Sequence, residues 1–517
     1  MKRVKKLVTV LLIVSMVATC LVGCGGKIGN SNSGGSSATD IEIAYWNAGL
    51  GTDWLDAMIE AFEKEYPEYN VYYNASASDE AIMKTIGMED VDTVDIYMGL
   101  RHFDNSVLEP LDDLMDTTAK GDSKKISEKF DEKYLLFEKD ADGHYYGLTY
   151  GGGVLGLVYN KEMFKEAGIN ELPRTTDELA AVCDTLYNQD TAAHVHFNQK
   201  GYWEFLTEVW MAQYDGLDYY LNNLYACKDE NGNSPSKEVF TKKDGRYEAL
   251  LAYEKFITPE YVLAGSNSYD HVTAQTMFMN ESAAMMANGS WLVNEMKEIN
   301  ANDQFEMMRF PVLSSIRDRL DTVKSEVVLR KLITAIDSVT DGDKKLSDYK
   351  TDGGYDIEGT IVSENDWEIV TEARNSIAIN YTGDTCHIPS YSNAKEGAKK
   401  FLEFMYSDKG YVVYADTLHL ALPMAMSEGE LDTSEWNAFE QNQYELLNTA
   451  TNFISSVNGS KHKIYTDGGA TPFCGQSYIN HLCAKNPSDR LTADDIWGKM
   501  MKKVEDSYEG TWLANIK

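Results

Sequence analysis

Gly151-Gly152-Gly153-Val154-Leu155-Gly156 fits G-x-G-x-x-G, the spacing with which a strand-to-helix turn cradles a pyrophosphate. That chemistry needs the last glycine to open a helix. Here Leu157-Val158-Tyr159 follow, residues that favour strand, so the glycines read as a chain crossing whose backbone must bend freely. Signatures of bond-breaking or metal chemistry are missing. The chain has no H-E-x-x-H, G-x-S-x-G or G-K-[ST], and its nine histidines do not cluster at ligand spacing. Asp229-Glu230-Asn231-Gly232-Asn233 begins like a calcium loop, but its glycine comes at the fourth place and Phe240 stands at the twelfth, which predicts a surface turn. Neither cofactor nor metal is expected. The aromatics say more: Trp46, Tyr97, Tyr150, Trp203, Trp210, Trp291, Trp367, Tyr381, Tyr391 and Tyr465 fall at or near predicted strand ends, loops or glycine-rich turns. Such a set, brought to a cleft, suits a sugar, whose C–H face packs on a ring while its hydroxyls bond to Asp, Asn and Arg.

The elements that would position these rings alternate in type. Ile41-Glu42-Ile43-Ala44-Tyr45-Trp46 reads as a strand. Trp54, Leu55, Met58, Ile59 and Phe62 mark one face of a helix that ends before Pro67, and Val71-Tyr72-Tyr73 resumes a strand. Val94 to Met98 is a further strand ending at Gly99. Units of this kind build an α/β fold with a mainly parallel sheet, in which ligands gather beyond the carboxyl ends of the strands, here Trp46-Asn47-Ala48 and Met98-Gly99-Leu100-Arg101. Thr175-Thr176-Asp177-Glu178 has the form of a capping box, and Ala398, Phe401, Leu402 and Met405 repeat with helical spacing after an Asn393/Glu396 start. The stretch from Ser314 to Asp366 is rich in charge and turn residues and reads as an insertion.

Composition bounds the partners. With 82 acidic and 47 basic residues in 517, the formal charge is −35, which argues against nucleic acid, because affinity for phosphates comes largely from Lys and Arg. Lys2, Arg3, Lys5 and Lys6 precede an apolar run from Leu7 to Val17, the pattern of a secretion signal. Leu21-Val22-Gly23-Cys24 resembles a bacterial lipobox, which implies lipid attachment at Cys24 and mooring on the outer face of a cell membrane. The Gly/Ser/Asn-rich stretch after it reads as a tether. Beyond the amino end, Cys183, Cys227, Cys386, Cys474 and Cys483 form no C-x-x-C pair and predict scattered thiols.

Four stretches, in order, carry a wider likeness: Phe62 to Pro67; Tyr146-Gly147-Leu148-Thr149-Tyr150 with Leu157 to Lys161 and on through Thr175 to Leu179; Ala283 to Trp291; and Ala398 to Gly410. Together they resemble the extracellular sugar-binding lipoproteins of ABC importers, whose prototype is the maltodextrin-binding protein. Thr149 stands where that family usually has proline, and extra length separates Gln189 from Phe240 and Ser314 from Asp366. The resemblance implies two α/β lobes, each a mainly parallel sheet flanked by helices, joined by a three-crossing hinge. Mapped here it gives a signal peptide at 1–23, a tether at 24–38, lobe one at 39–149 and 313–423, and lobe two at 150–312 and 424–517. It implies solute contacts at Trp46, Asn47, Arg101, Asp104, Tyr150, Gly151 and Trp291, with Trp210 and Tyr465 as additions. The implied protein is a monomer and not an enzyme; it binds a carbohydrate by hinge closure and hands it to the permease subunits of an ABC importer. The rivals are a membrane-anchored polysaccharide-degrading enzyme and the same fold serving a non-sugar solute.

Overall fold

In a computed structural model, the structure describes residues 38–516 except 48, 103, 141, 199–201, 297–303, 380–383, 457–461 and 472–475. Cys24, Cys474, Tyr381, the signal and the tether lie outside the described residues. The strands, in chain order, are β1 (Thr39–Trp46), β2 (Tyr69–Ser76), β3 (Ile96–Gly99), β4 (Leu148–Thr149), β5 (Val154–Asn160), β6 (Met285–Gly289), β7 (Phe305–Met307), β8 (Lys350–Thr351), β9 (Gly354–Ile357), β10 (Thr360–Val362), β11 (Ser376–Ile379), β12 (Thr385–His387) and β13 (Asn452–Ser455).

They form two five-stranded sheets and a small one. The first sheet runs β2-β1-β3-β12-β4, with β1 parallel to both β2 and β3. Its helix Asp53–Glu65 buries Trp54, Leu55, Met58, Ile59 and Phe62, the face expected from their spacing. The second sheet runs β13-β11-β5-β6, with β7 also paired to β5. Here β11 and β13 pair in parallel, while β5 is antiparallel to each of its partners. β12 likewise opposes its neighbours β3 and β4 in the first sheet, so each lobe carries one reversed strand among otherwise parallel ones, and the second differs in how it is assembled. Its strands are contributed by distant stretches of chain rather than by successive βαβ units.

β11 also moves the expected boundary. Its residues Ser376–Ile379 pair with Asn452–Ser455 and with Val154-Leu155, so the chain is still in the second lobe there. It returns to the first sheet only at Thr385, not at residue 313. The stretch read as an insertion builds its own unit, a β10-β9-β8 sheet with helices Glu326–Thr340 and Glu364–Arg374 around Ile316, Leu332, Ile336, Tyr355 and Trp367. The last crossing also falls later than residue 423: the Ala425 amide still donates to Lys129 O, and Ser427 still bonds Asp408. Helix Ala438–Thr449 then packs against β7 of the second lobe.

Local signals behave with small shifts. The Thr175 hydroxyl accepts from the Glu178 amide as a cap should, but the Glu178 carboxylate accepts from Arg174 N, one residue before the cap. Helix Lys395–Met405 buries Ala398, Phe401, Leu402 and Met405, yet begins after Ala394 without a side-chain cap. Cys183, Cys227, Cys386 and Cys483 are buried free thiols.

Candidate functional site

The glycine run opens the extended strand β5, not a helix, so no pyrophosphate site forms. Instead the glycines hold three stretches of chain together. A β-carbon on Gly151 would stand 2.2 Å from Asp384 Oδ2, one on Gly152 would stand 2.3 Å from Ala421 O, and one on Gly153 would meet Ser290 Oγ. Gly153 also has φ +114°, which L side chains rarely adopt. Residues 150–153 and Asp384 belong to the first two connections between the sheets and Ala421 to the first-lobe segment that leads to the third, and they pack in direct contact. Backbone bonds tie them further: Tyr150 N donates to Asp384 O at 2.8 Å, and Thr149 Oγ1 donates to Gly151 O at 2.8 Å. Complete burial pushes the Asp384 carboxyl up to about 7.

Beside this hinge the carboxyl ends of strands from both lobes face each other. On the first lobe, Tyr45 pairs with Met98 across β1 and β3, so the chain after Trp46 and the chain after Gly99 emerge side by side. Trp46 is half-buried, and its indole donates to Ala77 O at 3.2 Å. Asn47 donates its amide to Ser76 O, while its side-chain Oδ1 is buried with no hydrogen-bond partner among the described residues. Tyr150 is buried, lies parallel to Trp54 at 6.0 Å and donates its hydroxyl to Trp46 O at 3.3 Å. It supports the floor beneath Trp46.

On the second lobe, Trp291 follows β6, half-buried, with its ring over Gly289 and edge-on to Tyr202 at 5.5 Å. Its β-carbon comes within 3.4 Å of where a side chain on Gly49 would begin, so the two lobes meet at this rim. At the other end of the cleft, Leu136, Phe137, Lys139 and Asp140 of the first lobe face Tyr225, Ala226, Lys228, Ser234, His462, Lys463 and Ile516 across a cavity of 580 Å³. That is the size of a small-ligand pocket.

The expected contacts divide accordingly. Trp46, Asn47, Tyr150, Gly151 and Trp291 gather at the hinge and the cleft rim. Arg101 lies under the cleft: its Nη2 is 3.2 Å from Glu138 Oε2, and the pair is almost wholly buried. Burial, the largest single influence, lowers its pKa, but Glu138 together with Tyr225, Tyr134 and Asp140 outweighs this and raises it. Asp104 is exposed and spends Oδ1 on the amide and hydroxyl of Ser106, bonds that lower its pKa. Two aromatics leave the set. Trp210 is 0% exposed and donates to Pro311 O inside the second-lobe core against Tyr253, so it has no face to offer a solute. Tyr465 is buried against Phe240 and donates to Leu224 O. Of the other rings considered, Trp203 and Trp367 are core residues and Tyr391 donates to Asp92.

Tyr202, Tyr225, Asp384, His462 and Lys463 were not anticipated. Only the Tyr202-Trp203 pair ahead of a helical pattern and the Tyr-rich Tyr219 to Tyr225 run hinted at them. Among the described residues, no group of three or more His, Cys, Asp or Glu side chains is placed to hold a metal, and no helix is long and apolar enough to cross a membrane. Asp229 accepts from the Asn231 and Asn233 amides, closing the predicted surface turn.

A family model described as bacterial extracellular solute-binding protein matches residues 48–412. The chain belongs to that family. It is 24% identical over 335 residues to an uncharacterized ABC transporter extracellular-binding protein of Pyrococcus horikoshii, covering 61% of this chain and 70% of that one. It is 23% identical over 316 residues to the multiple sugar-binding protein of Streptococcus mutans, covering 60% and 70%. Among solved structures, the solute receptor AcbH, described as exclusive for β-D-galactopyranose, superposes with a TM-score of 0.60 at 13% identity, covering 92% of this chain and 99% of that one. Maltose-bound MalE3 of T. maritima gives 0.55 at 15%, covering 91% and 100%. The fold is thus the two-lobed one of solute-binding proteins related to the maltodextrin-binding protein.

Proposed function

We propose that this protein is a lipid-anchored receptor that binds a carbohydrate between its lobes, closes on it about the three-crossing hinge, and delivers it to an ABC importer. The observation that carries the reading is the meeting of Trp291 on one lobe with the loop after Trp46 on the other, beside a glycine hinge. A sugar resting on rings from both sides would be held more tightly by the closed form, and can shift the balance only by that difference in affinity. The sugar-binding relatives support a saccharide, and the lipobox at Leu21 to Cys24 supports mooring outside the cell, with the protein acting as a monomer.

A thermal-shift screen against mono- and oligosaccharides tests this. A ligand at 100 times its dissociation constant stabilises by ~2.7 kcal/mol, and small-angle scattering should show compaction with the same ligand. If no saccharide shifts the melting point, or if chromatography after long incubation shows shortened chains, the receptor reading is wrong. Mass spectrometry of the membrane fraction checks for lipid on Cys24.

A further inference from the structure

The cavity at the far end of the cleft is positively charged in a protein that is otherwise strongly acidic. Lys139, Lys228 and Lys463 come from three separate segments and converge on its 580 Å³, with Asp140 the one carboxylate in the lining. Asp140 lies within electrostatic reach of the buried Arg101, which is itself paired with Glu138, and Asp104 comes within reach of Lys463. Among the described residues, neither Lys139 nor Lys228 has a carboxylate within ion-pair distance; Lys139 instead sits 5.3 Å over the ring of Tyr145. His462 hydrogen-bonds Ser234 through Nε2 at 2.8 Å, and burial, aided by Lys228, lowers its pKa, so it faces the cavity uncharged at neutral pH. Tyr225, edge-on to Phe137 at 5.2 Å, supplies an apolar wall.

A neutral sugar has no use for the ammonium groups of Lys139 and Lys228, which stand in this lining without a carboxylate beside them, and the chain's net −35 would repel an anion at a distance. Cations gathered here therefore make sense as the complement of a negative ligand. Resting on the carrier reading above, we propose that the solute is an acidic saccharide, with its anionic group, a uronate carboxylate or a sulfate ester, placed between Lys139 and Lys228 while a neighbouring ring packs on Tyr225.

Calorimetric titration of the full chain with matched pairs tests this: a uronate oligosaccharide and its neutral counterpart of the same linkage, and a sulfated oligosaccharide with its unsulfated parent. One acidic member should bind at least about tenfold tighter than its partner, and whichever pair shows the preference identifies the anion. The Lys139→Met/Lys228→Met double variant should lose the preference while keeping the wild-type melting point, since both side chains are exposed. On the unaltered protein, added salt should weaken the acidic ligand and spare the neutral one. Equal or tighter binding of the neutral partners, or a preference that survives in the double variant, would overturn the proposal while leaving the carrier reading intact. Binding of no saccharide at all would overturn both.

Discussion

Gly152 packs against the carbonyl of Ala421 so closely that a β-carbon on it would stand 2.3 Å from that oxygen. The neighbour is backbone and cannot swing aside, so Gly152→Ala must push the first crossing away from the segment that leads to the third. A loss of ~1–3 kcal/mol is expected from equilibrium denaturation. Gly498, exposed in helix Ala493–Ser507 with open space around it, is the control: Gly498→Ala should gain ~0.5–1 kcal/mol from helix propensity alone. Equal effects at the two positions would mean these segments are not in rigid contact.

Trp291 offers a sharper test of the cleft. Its ring lies over Gly289 and against Tyr202, on the rim that meets Gly49. For a saccharide that binds the native protein, Trp291→Ala should weaken affinity at least ~tenfold, with Trp291→Phe falling between. Titration calorimetry reads this directly, and unchanged affinity in the alanine variant would remove Trp291 from the site.

What could be read from sequence follows from the range of the interactions involved. The buried face of Asp53–Glu65, the helix around Phe401 and the extended run after Gly153 are local patterns, repeating every 3.6 or 2 residues, and the structure keeps them. The placement of β11 is different. Its four residues are committed to the second lobe by pairing with β13 and β5, partners far away in the chain, and nothing within Ser376–Ile379 records that choice. Trp210 misled for the same reason: its hydrogen-bond partner is Pro311, a hundred and one residues on. The positions of residues at the cleft rim, Trp46 closing β1 and Trp291 just beyond β6, were legible because the strand ends were. Those supplied by the extra length before Phe240, and by the chain after β13, were not.

Stability should depend on pH through groups of opposite sign. Burial holds His194 at about 3 and His196 at about 4, against ~6.5 when unfolded. Above pH ~6.5 both are neutral in either state and have no effect. Below it the unfolded chain takes up protons that the folded one refuses, so stability falls by ~1.4 kcal/mol per pH unit for each histidine. Asp384 works the other way. With its folded value raised to about 7, the native state holds a proton that an ordinary carboxylate would release, so stability rises as pH drops from 7 towards ~4. Asp384→Asn should therefore lose ~2 kcal/mol more than the wild type between pH 7 and pH 5, measured as denaturation free energy. Parallel curves for the two proteins would show that Asp384 titrates as an ordinary carboxylate.

Arg101 and Glu138 decide whether a residue expected to touch solute is instead part of the scaffold. Their 3.2 Å pair has side chains 3% and 0% exposed, and Glu138 also accepts from the Tyr134 hydroxyl at 2.6 Å. Removing one partner of such a pair leaves the other charge buried, so Arg101→Met should cost ~3–5 kcal/mol. Adding Glu138→Leu removes the stranded carboxylate and should restore most of that loss, because the penalty comes from the orphaned charge rather than from the missing attraction. A double-mutant cycle by denaturation, run beside titration calorimetry, separates the two roles. If Arg101 supports the cleft, the single variant melts early and the double variant regains stability together with most of its binding. If Arg101 contacts solute directly, the double variant is stable but binds poorly, and Arg101 returns to the list of solute contacts.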